Sequence, residues 1–227
     1  MKHTSKLLTA LLLTMAFLVS ALPVHGIHAE PETATVQKKA ELVFVIDSTG
    51  SMSGAIKNVK TGITSFVNSL ETQGVNLRIG IVEFRDIEED GMDSTIIHEL
   101  NHSLWMNSTS EMVEVLNGIS AGETVIDGLG YLVDGETIPW SSDSYKFAVV
   151  LTDSGYKIAN RHGFNSLQEV ADALLTAGIT TSVVTEESEF STYDALPDTT
   201  GGIKADISSD FSTVLADLAN QILGLTG

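Results

Sequence analysis

No cysteine occurs in the 227 residues. Thiol catalysis, zinc–thiolate sites and disulfide exchange are therefore excluded, and the fold must be held by core packing, with or without the help of a metal ion. Basic residues are scarce: 12 Lys and Arg stand against 30 Asp and Glu, a formal net charge of −18. A phosphate binder needs a basic face, so this balance disfavours nucleic acid as a partner. It favours cations, basic partners or plain solubility. Long apolar runs are also missing, except at the N-terminus. Leu7–Leu22 is apolar apart from Thr and Ser, follows Lys2 and Lys6, and leads into small-residue exits at Val24-His25-Gly26 and Ile27-His28-Ala29. That layout reads as a secretory signal peptide over residues 1–29, too short for a typical membrane span of about 20 residues. Its removal takes away two lysines and no acid, moving the net charge from −18 to −20. Left uncleaved, it would act as a membrane anchor; cleaved, it implies a secreted or extracellular protein, released or held at the cell surface.

Residues 30–39 are mostly polar with one proline, Pro31, and read as a linker. From residue 40 to 227, strand-like and helix-like stretches alternate in what reads as one domain. Leu42–Ile46 is continuous, apolar and rich in β-branched residues, the signature of a strand buried on both faces. Ala55, Ile56, Val59, Ile63, Phe66, Val67 and Leu70 then recur at helical spacing. Further strands are expected at Leu77–Phe84, Phe147–Leu151 and Ile179–Val184, with a weaker one at Thr95–Leu100. Ser108/Glu111 and Ser166/Glu169 have capping-box spacing and open two more helices. A last amphipathic helix runs from Phe211 to Leu223. This order predicts an α/β, doubly wound, mostly parallel central sheet flanked by helices.

In such a sheet, ligands bind beyond the carboxyl ends of the strands. The stretch LVFVIDSTGSMSG, residues 42–54, ends its strand on Asp47 and then places Thr49 and Ser51 at alternate positions. Asp153 follows the strand FAVVL in the same way. If those two strands are neighbours, two carboxylates converge over one crevice and repel, and a hard divalent cation would relieve them. A carboxylate with two hydroxyls is all-oxygen ligation, which suits Mg²⁺.

Asp-x-Thr-x-Ser after one apolar strand and Thr-Asp after a later one resemble a von Willebrand factor type A domain of a secreted bacterial type. The resemblance implies a Rossmann-like fold and a metal ion-dependent adhesion site. It implies ligation by Asp47, Thr49, Ser51, Thr124 and Asp153. Thr124 comes from Ala121-Gly122-Glu123-Thr124, where Glu123 replaces a glycine of the family pattern and is the competing ligand. Thr49, Ser51 and the third-loop Thr would touch the ion directly, with Asp47 and Asp153 acting through water. The implied cofactor is Mg²⁺, with Mn²⁺ or Ca²⁺ as alternatives. The implied partner is a protein offering an Asp or Glu carboxylate, and no enzyme activity is expected.

Other readings are weaker. Asp153-Ser154-Gly155 after VVLT matches one half of an aspartic-protease pair, but Asp47-Ser-Thr-Gly carries an extra residue, and such hydrolases are all-β. A Ser154 nucleophile lacks a triad base, and no Gly-Lys-Ser/Thr phosphate loop exists. The acidic run Asp86–Asp93 lacks the spacing of a calcium loop and reads as solvated. His98 and His102 have no zinc-site context. Trp105 and Trp140 fall on expected loops, as core edges or as neighbours of the site. The main alternative to adhesion is a structural or sensory module whose metal only orders the loops.

Overall fold

The computed structural model describes residues 38–90, 95–119 and 124–226. The leader 1–29, most of the 30–39 linker, Glu123 and the later part of the acidic run lie outside the described residues. The first strand, β1 (Lys38–Asp47), starts two residues inside the stretch read as linker. Then follow α1 (Ser53–Glu71), β2 (Val75–Phe84), α2 (Ile87–Asp90), β3 (Thr95–Ile97), α3 (Thr109–Leu116), α4 (Val125–Gly130) and β4 (Tyr145–Leu151). The chain continues through α5 (Leu167–Thr176), β5 (Ile179–Thr185), α6 (Phe190–Tyr193), α7 (Ala195–Thr200), β6 (Lys204–Asp206) and α8 (Phe211–Thr226).

The strands form one six-stranded sheet in the order β3-β2-β1-β4-β5-β6. Only β3 runs antiparallel to its neighbour. β1 is central because both of its faces are apolar. Leu42, Phe44 and Ile46 face a core shared with α1, α3 and α8, while Val43 and Val45 face a second core under α4, α5 and α7. Alternate strand residues point to opposite faces, so an unbroken apolar run requires cover on both sides. This architecture is not the all-β frame of an aspartic protease, and that reading is set aside.

Both expected capping boxes form. Ser108 accepts from the Glu111 N–H at 3.3 Å and Ser166 from the Glu169 N–H at 3.2 Å. Each glutamate reaches back one residue further than the cap, to the N–H of Asn107 and of Asn165. β3 is shorter than the expected Thr95–Leu100. After it the chain turns on Asn101 and His102, both in the left-handed region, and Leu100 and Ser103 exchange backbone hydrogen bonds across the turn. Among the described residues no helix is long and apolar enough to cross a membrane.

Trp105 and Trp140 are core edges at the end of the sheet opposite Asp47. Their rings lie 5.4 Å apart, and the Arg78 guanidinium sits 5.0 Å over Trp105. Arg78 pairs with the buried Glu41, six residues before Asp47 on β1, which places this cluster about 20 Å along the strand from the site. Glu41 also accepts from the Ser141 N–H and hydroxyl and from the Ser144 hydroxyl. These bonds hold its carboxyl below the usual range although burial pushes the other way.

Gly202 closes the far side of the sheet, between α7 and β6. A Cβ there would lie 1.9 Å from the Thr181 carbonyl oxygen, a backbone atom that cannot rotate away. Gly202→Ala should therefore push β6 off β5 and destabilise the domain by about 3 kcal/mol, a fall in Tm of roughly 6–12 °C for a domain this size. A melt within about 2 °C of wild type would show that the segment gives way at little cost.

Candidate functional site

β1 and β4 are adjacent and parallel, with Ile46 opposite Leu151. The chain leaves β1 toward β2 on one side, while β4 and β5 build the other. The crevice between β1 and β4 is therefore the topological switch point, where a doubly wound sheet opens a ligand site. Asp47 ends β1 there with no exposed surface.

The turn after Asp47 is built on its carboxylate. The Thr49 N–H donates to Asp47 Oδ1 at 2.8 Å, and a 3₁₀ turn over Gly50–Met52 then leads into α1. Met52 is buried and anchors this turn. The Thr49 and Ser51 hydroxyls end up 2.9 Å apart, Ser51 exposed and Thr49 half-buried. From β4, the Thr152 hydroxyl donates to Asp47 Oδ2 at 2.7 Å. Asp153 follows, half-buried, and its charge acts on Asp47. The structure thus joins Asp47, Thr49, Ser51 and the Asp153 loop in one hydrogen-bonded unit.

Thr124 arrives by another route. It immediately precedes α4, which lies close on the sheet because Gly128 has no side chain; a Cβ there would come within 3.1 Å of Val45 and 3.3 Å of Phe84. Thr124 is fully buried. Its hydroxyl donates to the Arg85 carbonyl and accepts the Ile87 N–H at 2.7 Å. It is thereby tied to the loop between β2 and α2 rather than to Thr49 or Ser51. Glu123 lies outside the described residues.

Asp86, in that same loop, departs from the solvated reading of the acidic run. It is buried, accepts the Glu88 N–H at 2.9 Å and pairs with Lys157 from the loop after β4. Asp127 on α4 is fully buried as well, bonded to the Thr95 hydroxyl at 2.6 Å and the Arg161 N–H at 2.8 Å. His98 does not meet His102; it contacts Glu83 at 2.7 Å. Sequence reasoning also missed Thr152, whose only signal was its place beside Asp153, and Tyr193. The Tyr193 hydroxyl donates to the Ser154 carbonyl at 2.9 Å. Burial raises its phenol above the ordinary range against the lowering effect of a hydrogen bond with Thr152, with Asp47 and Glu189 adding to the rise, so it remains a donor.

The oxygens at this edge suit a small hard cation. Octahedral Mg²⁺ holds its ligands at about 2.1 Å, so neighbouring oxygens stand about 2.9–3.0 Å apart. The Thr49–Ser51 separation of 2.9 Å has that spacing. Among the described residues, no three His, Asp or Glu side chains converge on a metal-binding point. A cation here would draw on hydroxyls as well as carboxylates.

The fold and this edge define a protein class. A family model for the von Willebrand factor type A domain matches residues 41–211, and the chain belongs to that family. Solved structures share the fold. One is the pilus adhesin SpaC from Lactobacillus rhamnosus GG in its open conformation, 15% identical with a TM-score of 0.58 over 83% of this chain and 30% of that one. Another is proximal thread matrix protein 1 of the mussel byssus with a zinc-occupied MIDAS motif, 17% identical with a TM-score of 0.59 over 83% of this chain and 46% of that one. The chain thus spans less than half of either structure. A search of curated proteins finds no match.

Burial raises the Asp47 carboxyl to about 6, against the lowering effect of the Thr49 N–H and the Thr152 hydroxyl; the Asp153 charge adds to the rise. A raised folded-state pKa stabilises the fold below about pH 4, and that stability is lost as pH rises through 6. In chelator, the domain should lose on the order of 2–3 kcal/mol from this group between pH 4 and 7. Asp134, Asp206 and Asp210 are shifted down, so their contributions are lost only at lower pH. Asp47→Asn should flatten the Tm profile between pH 5 and 7; an unchanged slope would locate the titration elsewhere.

Proposed function

We propose that this is a secreted, metal-dependent adhesion module. Thr49 and Ser51 hold a divalent cation directly, Asp47 and Asp153 support it through water, and Thr124 completes the third loop, with Glu123 as the competing donor. When bound, the cation supplies a Lewis-acidic open position for an Asp or Glu carboxylate of a partner protein. The observation that carries this reading is the Thr49–Ser51 hydroxyl pair at ligand spacing, on the turn that the buried Asp47 holds at the switch point. The chain's own residues prepare the place: Asp47 fixes the turn, Thr152 holds Asp47, and the neutral hydroxyls that would touch the ion keep both carboxylates out of its inner shell.

Mg²⁺ is the expected ion because the donors are oxygens and the Thr49–Ser51 spacing is short; Mn²⁺ accepts the same set, and Ca²⁺ favours longer bonds. The N-terminal leader supports export, and the acidic composition supports neither nucleic acid nor an anionic surface as partner. The fold's likeness to an adhesin and to a matrix protein supports a binding role over an enzymatic one.

Titration calorimetry of chelator-stripped mature domain with Mg²⁺ and with Mn²⁺ tests the reading. Saturable one-site binding is expected, weakened at least about tenfold in Asp47→Ala that remains folded by circular dichroism. Absence of binding by folded wild-type protein would overturn the metal site. Binding that raises Tm, while partner capture by the folded domain survives chelation, would instead identify a metal that only orders the loops.

A further inference from the structure

The loop that carries Asp153 is held from below by a residue that neither the site motif nor the helical pattern announces. Tyr193 ends α6, has no exposed surface and is among the largest fully buried side chains. Its hydroxyl donates to the Ser154 carbonyl at 2.9 Å, one residue beyond Asp153, and its ring meets Tyr156 edge-on at 5.8 Å. Two contacts from one side chain therefore fix both ends of the segment 154–156.

The residue that Tyr193 holds also meets the group that serves Asp47. The Thr152 hydroxyl lies 2.7 Å from Asp47 Oδ2 and 3.3 Å from the Ser154 carbonyl. A hydroxyl has one proton to give. The shorter contact marks Asp47 as its acceptor, and the Ser154 N–H donates to the same Thr152 oxygen at 3.3 Å. The chain of contacts runs from Tyr193 through the Ser154 carbonyl and Thr152 to Asp47, and so connects α6 to both carboxylates of the site.

We infer that Tyr193 is a positioning residue for the cation site: it holds the loop that carries Asp153 in place through the Ser154 carbonyl and the Tyr156 ring. This inference rests on the metal reading of the same site. Without the phenol hydroxyl, the Ser154 carbonyl loses its closer donor and Asp153 sits on a looser loop. Outer partners of metal-binding groups typically change metal affinity by about 10- to 100-fold.

The test is Mn²⁺ calorimetry on chelator-stripped wild type, Tyr193→Phe and Leu196→Val. Tyr193→Phe keeps the ring and its packing. Leu196 is fully buried in the same core, one helix on, and its truncation costs stability while removing no hydrogen bond to the loop. Tyr193→Phe should weaken Mn²⁺ about tenfold with stoichiometry unchanged, and should speed amide hydrogen exchange in residues 152–156 but not in β4. Leu196→Val should lower Tm and leave the Mn²⁺ affinity within about twofold. Equal affinity in wild type and Tyr193→Phe overturns this inference alone, as does an equal loss in both variants. Wild-type protein that takes no Mn²⁺ overturns the metal reading, and the inference falls with it.

Discussion

A carboxylate without exposure at the end of the central strand is the constraint on which the rest of this molecule depends. Asp47 is carried to its position by five apolar residues that two cores bury from opposite sides. Burying an ionised group costs several kcal/mol unless other groups stabilise its charge. Here two donors do so in part, the Thr49 N–H and the Thr152 hydroxyl, one from each side of the switch point. The remaining deficit appears as the raised pKa, and a cation is the natural group to complete the balance. The turn, the hydroxyl pair and the loop after β4 are all arranged around that one side chain.

Elsewhere the same problem is solved with the protein's few cations. Arg78 pairs with Glu41, Arg85 with Glu83, Lys157 with Asp86 and Arg161 with Asp127. In each pair the acid is buried and the base reaches solvent, so the long side chain brings charge inward while its head stays partly hydrated. These four basic residues come from only 12 in the chain. Their assignment to internal acids leaves the outer surface strongly negative, and among the described residues no basic side chain pairs with Asp47.

What the sequence made legible follows from periodicity. β1, β2, β4 and β5 were readable as apolar runs, α1 and α8 as stripes, and α3 and α5 from Ser and Glu three apart. The site motif was readable because its residues are close in sequence: Asp47, Thr49 and Ser51 are two apart, and Thr152 and Asp153 are adjacent. The missed parts lack period. α4, α6 and α7 run six residues or fewer, too short to show a stripe. Asp86 looked like the start of a solvated acidic run because its partner, Lys157, lies 71 residues away. Tyr193 stands 39 residues from the carbonyl it holds, in a segment without an apolar pattern. Pairings of that range are set by the sheet order, which joins β1 to β4 and β4 to β5, and strand order is not written in local composition.

Thr124 shows how one hydroxyl can serve two structural demands. Its proton goes to the Arg85 carbonyl, and one lone pair takes the Ile87 N–H. A hydroxyl oxygen has a second lone pair. The atom that ties α4 to the β2–α2 loop can therefore also face a cation without releasing either bond. A carboxylate from Glu123 in that role would have a different effect. Together with Asp47 and Asp153 it would set three negative charges against a dication, and the excess would repel the carboxylate of a partner. A neutral third donor leaves the cation able to attract that carboxylate. On the proposed reading, the choice between two adjacent residues of one loop separates a site that captures a partner from a site that only holds itself together.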